Sequence, residues 1–128
     1  MIDKPEILYH ITKSKNLQSI MTNGLLPCIG DNCKLVKDKT EPVIFLCTKD
    51  MIRFFYRNFN HYGDGYDCIL KINIKPYYKE NYVKIRRNRL PKYNEYGCFT
   101  TIRPDDIEDY TEQIKREILM CGSGTKQR

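Results

Sequence analysis

Tyr93-Asn94-Glu95-Tyr96-Gly97-Cys98-Phe99 sets a single carboxylate at the entrance of an aromatic, alternating strand that the pattern extends from Tyr96 to Ile102. A carboxylate fixed there can face a positive charge developing on a bound molecule. The segment just before it, Lys84-Ile85-Arg86-Arg87-Asn88-Arg89-Leu90-Pro91-Lys92, holds five cations in nine residues and is the most positive in the chain. Two further segments accompany this one in chain order. Leu8-Tyr9-His10-Ile11-Thr12 lies near the start, and Val43-Ile44-Phe45-Leu46-Cys47-Thr48 follows, with Tyr56 eight residues after Thr48.

Working outward, Ile7 to Thr12 is short and β-branched, as a buried strand requires. Ser14 is placed to cap a helix whose Leu17, Ile20 and Met21 fall at i, i+3 and i+4, and Asn23-Gly24 supplies its stop. Pro27 to Pro42 has little periodicity and reads as a long loop or lid. Val43 to Cys47 is a continuous apolar run, typical of a buried strand. Thr48 can cap the helix that follows, in which Met51, Phe54, Phe55 and Phe59 recur at helical spacing before Gly63-Asp64-Gly65. Cys68 to Ile74 alternates and ends at Pro76, and a further short strand is expected at Tyr82 to Ile85. The last segment is ambiguous, because Ile107, Tyr110, Ile114 and Ile118 fit a helical period. Several strands with segregated helices give an α+β class.

At 128 residues the chain is one domain by size, taken here as residues 1–121, with Gly122 to Arg128 set apart as a small, polar, basic tail. No apolar run reaches bilayer-spanning length, and the start of the chain lacks a basic segment followed by a long apolar core, so a cytoplasmic protein with no membrane partner is expected. Cys47, Cys68 and Cys98 each sit inside a strand-like apolar run, as buried reduced thiols do. Cys28 and Cys33 are the sole metal-like pair, no second pair follows at zinc spacing, and no metal is expected. His61 reads as an exposed loop residue. A net charge of +6 makes the surface attractive to phosphates.

In their order, the three segments resemble the histidine, tyrosine and glutamate motifs of the ADP-ribosyltransferase fold, in particular its poly(ADP-ribose) polymerase-like branch. The triplet His10-Ile11-Thr12 is also similar to that of DNA-modifying ADP-ribosyltransferase toxins. The resemblance implies split antiparallel β-sheets with a few short helices and a terminal strand near Ile107 to Ile114. It also implies NAD+ as substrate. His10 then holds the adenosine ribose of NAD+, the backbone of Ile11 pairs with the nicotinamide amide, and Thr12 adds a hydroxyl contact. Ile11 stands where the commoner pattern has glycine. Phe45 falls on the tyrosine of the motif and keeps the ring without the hydroxyl, while Tyr56 falls on an aromatic that stacks against nicotinamide. The resemblance makes Glu95 the catalytic carboxylate, and His10 belongs to the catalytic set with it. Its role follows from the oxocarbenium character that builds on the sugar as nicotinamide leaves, much as in glycoside hydrolysis.

The loop leading into the glutamate presents the acceptor in that fold, which assigns Arg86, Arg87, Arg89 and Lys92, together with Lys84, to acceptor binding. The acceptor is a nucleic acid or an acidic protein surface, and a monomer is the expected state. Two rivals stay open. One is an inactive relative that binds NAD+, ADP-ribose or nucleic acid; the other is a basic nucleic-acid-binding protein with accidental motif similarity.

Overall fold

Apolar residues on both faces of the opening strand bury most of it: β1, Ile7–Thr12, has Leu8, Tyr9, Ile11 and Thr12 out of solvent, with Ile7 and His10 half-buried. The structure is a computed structural model and describes residues 4–28, 42–86 and 95–119. Expectations for the 29–41 part of the loop, for Cys33 and for the 122–128 tail lie outside the described residues.

After β1, Ser14–Asn16 forms a 3-10 turn and Leu17–Asn23 forms α1. Ser14 does not cap this helix, because its N–H and its hydroxyl both donate to the Asp67 carboxylate, at 2.7 and 3.0 Å. Gly24 ends the helix at φ 92°, its N–H bonded to the Ile20 carbonyl. Next come β2, Ile44–Leu46, a 3-10 turn at Lys49–Met51, and α2, Ile52–Phe59, whose Ile52 and Phe55 are buried. Thr48 bonds the Asp50 side chain and makes no helix cap.

The remaining strands are β3, Cys68–Asn73, β4, Val83–Arg86, β5, Glu95–Cys98, and β6, Ile107–Asp109. β5 is shorter than the sequence suggests. The chain bends at Thr100, and Ile102 pairs with Leu25 instead of extending β5. The terminal segment is divided between the two readings. Its strand stops at Asp109, whose carboxylate accepts from both the N–H and the hydroxyl of Thr111, and the chain turns there into α3, Thr111–Ile114. A π-helical turn at Lys115–Leu119 follows.

The described strands form two antiparallel three-stranded sheets, ordered β1-β3-β6 and β2-β5-β4. Tyr9 and Cys47 join them through reciprocal backbone hydrogen bonds of 2.8 and 2.9 Å. The alternation of side chains sorts the core into two layers. Leu8, Leu46, Leu70, Ile72, Tyr96 and Cys98 turn to one face, where Ile20, Leu25 and Ile102 cover them. Tyr9, Ile11, Phe45, Cys47 and Ile69 turn to the other, against Ile52 and Phe55 of α2 and Ile114 of α3. Leu8, Leu46, Ile69 and Leu70 have no exposed surface, and each contributes roughly 1.5–3 kcal/mol. Cys47, Cys68 and Cys98 are buried and unbridged. No helix among the described residues is long and apolar enough to cross a membrane.

Candidate functional site

Beyond the Tyr9–Cys47 bridge the two sheets part, and the cause is a side chain. In a β-ladder, residues two apart turn their N–H and C=O to the same edge. Tyr9 spends both groups on Cys47, so Ile11 turns its own pair to the same β2-facing edge. The carbonyl that would continue the ladder belongs to Phe45, and His10 Nδ1 takes it at 2.8 Å. Among the described residues, no backbone hydrogen bond joins Ile11 to β2. The imidazole thus wedges the strands apart and leaves the Ile11 amide facing the opening.

That hydrogen bond also fixes the ring. A carbonyl oxygen only accepts, so Nδ1 carries the proton, and in the neutral ring Nε2 is an acceptor. Burial pushes the His10 pKa down from 6.5, and the bond to Phe45 only partly offsets this. The ring is therefore neutral at pH 7, with a lone pair at Nε2 suited to a hydroxyl donor.

A cleft of about 450 Å³ opens at this parting. His10, Ile11 and Thr12 line it from β1, and Val43, Ile44 and Phe45 from the β2 side. Asn16 and Ser19 border it near α1, with Leu25 and Cys28 beyond the helix. Thr12 is buried, and its hydroxyl accepts from the Asn16 amide at 3.3 Å. Gly24 lets this wall approach closely: a Cβ there would lie 2.6 Å from the Ile102 carbonyl oxygen.

Phe59 and Tyr66 complete the wall on the α2 side. Phe45 is buried in the core and lines the cleft as well, with its ring edge-on to Phe55 and Phe59 at 5.0 and 5.8 Å. Tyr56 is half-buried against this aromatic cluster and is not among the residues lining the cleft.

Glu95 opens β5, the strand beside β2. The register sets Phe45 opposite Gly97 and Leu46 opposite Tyr96, so Glu95 shares the face of Phe45 and Cys47. It is the diagonal neighbour of Phe45, about 7–8 Å away. Its side chain is half-buried with Oε1 out of solvent, and it too is not among the cleft-lining residues. Gly97 has no side chain to fill the place between Phe45 and the outer strand.

Of the expected acceptor residues, Arg86 lies in β4 opposite Glu95. Arg87, Arg89 and Lys92 lie outside the described residues. Lys84 is exposed, its ammonium 4.8 Å from the centre of the Phe99 ring on the same face of the sheet. His61 is exposed and edge-on to Tyr62. No group of three or more His, Cys, Asp or Glu among the described residues could hold a metal.

Sequence reading does not single out Lys13 or Tyr66 for this site, and it takes Phe59 only as one repeat of a helical stripe. Tyr66 follows a turn and obeys no period, so nothing in the local sequence marks it. No protein-family model and no curated protein matches the sequence.

Proposed function

We propose that this protein is an NAD+-dependent ADP-ribosyltransferase of the split-sheet fold, transferring ADP-ribose to a macromolecular acceptor and releasing nicotinamide. One observation carries the reading. The segments bearing His10, Phe45 and Glu95 lie on three strands that are neighbours in space, β1, β2 and β5, and the cleft opens where the first two part.

In this mechanism His10 Nε2 accepts a ribose hydroxyl and the Ile11 backbone pairs with the nicotinamide amide. The C1′–N bond then breaks with its electron pair passing to the ring nitrogen, which turns the pyridinium into neutral nicotinamide. The sugar is left with oxocarbenium character that the Glu95 carboxylate stabilises. A hydroxyl or amine of the acceptor bonds to C1′, and its proton leaves through Glu95 or water. Lys84 and Arg86 stand beside Glu95 on the outer strand, where an anionic acceptor would approach.

A second reading, a module that binds NAD+ or ADP-ribose without turnover, is favoured by the burial of Glu95 Oε1 and the position of Glu95 outside the cleft lining. NAD+ labelled in its nicotinamide separates the two. The transferase releases label, and Glu95→Gln lowers release by about 10²–10³-fold while NAD+ binding is retained. Binding without release establishes the module, and absence of both overturns the assignment of the cleft to NAD+.

A further inference from the structure

The cleft is electrically one-sided. Among the described residues its only charged lining groups are Lys13 and Lys15, and no carboxylate lines it. Neither lysine is paired with a carboxylate among the described ion pairs. A cation without a counter-ion beside a cavity is a seat for an anion.

The geometry around Lys13 is built. An aromatic wall runs from Phe45 to Phe59 at 5.8 Å and on to Tyr66 at 5.4 Å, and the Lys13 ammonium lies 5.0 Å from the centre of the Tyr66 ring. Tyr66 is held in place by Asn60, whose side chain accepts from the Tyr66 N–H at 2.6 Å and donates to the Tyr66 and Tyr56 carbonyls at 2.9 Å. The residues that follow Lys13 and Tyr66 are tied to each other as well, because Ser14 holds both oxygens of Asp67. These bonds keep the Asp67 carboxylate engaged with Ser14 and hold its pKa below 3.8. Lys13 is thus followed by one clamp, and the Tyr66 ring it faces is held by another.

We infer that Lys13 and Lys15 form a phosphate seat at one end of the cleft, and that the ligand lies along the aromatic wall with a flat ring toward Phe45 and its phosphates at the lysines. This deepens the transferase reading and rests on it for the identity of the ligand. A pyrophosphate-linked dinucleotide supplies each group the cleft receives: an aromatic end next to the row of Glu95, phosphates at the lysines, and a hydroxyl-bearing sugar within reach of His10. A free nucleotide shares the phosphate chemistry, so the test includes both.

The experiment titrates ADP, inorganic pyrophosphate and adenosine into the full chain by calorimetry, using wild type, the double variant Lys13→Gln with Lys15→Gln, and Lys75→Gln as a lysine outside the cleft. Wild type and Lys75→Gln are expected to bind ADP alike. The double variant is expected to bind ADP about tenfold or more weakly, with adenosine affinity unchanged, and to raise KM for NAD+ without lowering kcat. Equal ADP affinity in wild type and double variant overturns the seat, as does a wild type that binds neither ADP nor pyrophosphate. Loss of ADP affinity in the double variant with no nicotinamide release by wild type upholds the seat and removes the transferase reading. Nicotinamide release with the same KM in wild type and double variant upholds the transferase and removes the seat.

Discussion

His10 does two jobs with one hydrogen bond. By donating to the Phe45 carbonyl it ends the β1–β2 ladder, and by fixing its own tautomer it leaves Nε2 an acceptor on a residue that lines the cleft. Its lowered pKa makes this arrangement pH-sensitive. The folded chain binds the His10 proton less well than the unfolded chain, whose value is near 6.5. The contribution of the neutral ring is therefore complete above pH 6.5 and is lost as pH falls toward the lower folded midpoint. The His10 ring proton in an NMR titration should show a midpoint below 6.5. Melting temperature should fall between pH 7 and the folded midpoint, and His10→Gln should flatten that slope. Asp67 and Glu117, held low by Ser14 and Lys49 respectively, act only below their ordinary values of 3.8 and 4.5 and do not mask the effect. A His10 midpoint above 6.5 would sink the neutral-ring argument.

Among the elements, the turn between α2 and β3 carries more of the site than its sequence announces. Asn60 makes three hydrogen bonds across it, two of them to the Tyr66 backbone. Asn60→Ala leaves those groups without their partner and should cost about 1–3 kcal/mol in urea unfolding. ADP affinity should drop with it, because the Tyr66 ring no longer has a fixed place beside Lys13; an unchanged stability and affinity would show that the turn holds itself. The Gly24 corner makes a sharper case. Its φ of 92° is open to glycine alone at little cost, and any Cβ would meet the Ile102 carbonyl at 2.6 Å. Gly24→Ala should lose about 1–3 kcal/mol from the backbone and more from the clash, read as a lowered melting temperature.

These elements also mark what the sequence reveals. β1, β2, β3 and α2 were legible because continuous apolar runs and a 3.6-residue stripe are local signals. The early end of β5 was not, since it depends on Ile102 finding Leu25, far away in the chain. Ser14 has the chemistry of a cap but meets Asp67 instead, and the helical period of the Ile107 to Ile118 segment does not show that Asp109 divides it between strand and helix.

At the scale of the molecule, the two sheets meet, among the described residues, through one bridge and then separate around the cleft, an arrangement no local pattern encodes. His10, Ile11 and Phe45 stand out in the sequence, yet only the pairing of Tyr9 with Cys47 explains why they converge. A ligand in the cleft touches β1 of one sheet and β2 of the other, so it binds the folded chain and has no counterpart in the unfolded one. At a concentration 100 times its Kd such a ligand adds about 2.7 kcal/mol, which for a chain of this size raises the melting temperature by roughly 10 °C. NAD+ should produce that shift in wild type and in Glu95→Gln alike, since in the proposed transfer the carboxylate acts on the sugar as the bond breaks and not on the resting complex. His10→Ala should reduce the shift by losing the hydroxyl acceptor at the parting of the strands. If NAD+ moves the melting temperature of His10→Ala as far as that of wild type, the dinucleotide binds elsewhere and the cleft belongs to another ligand.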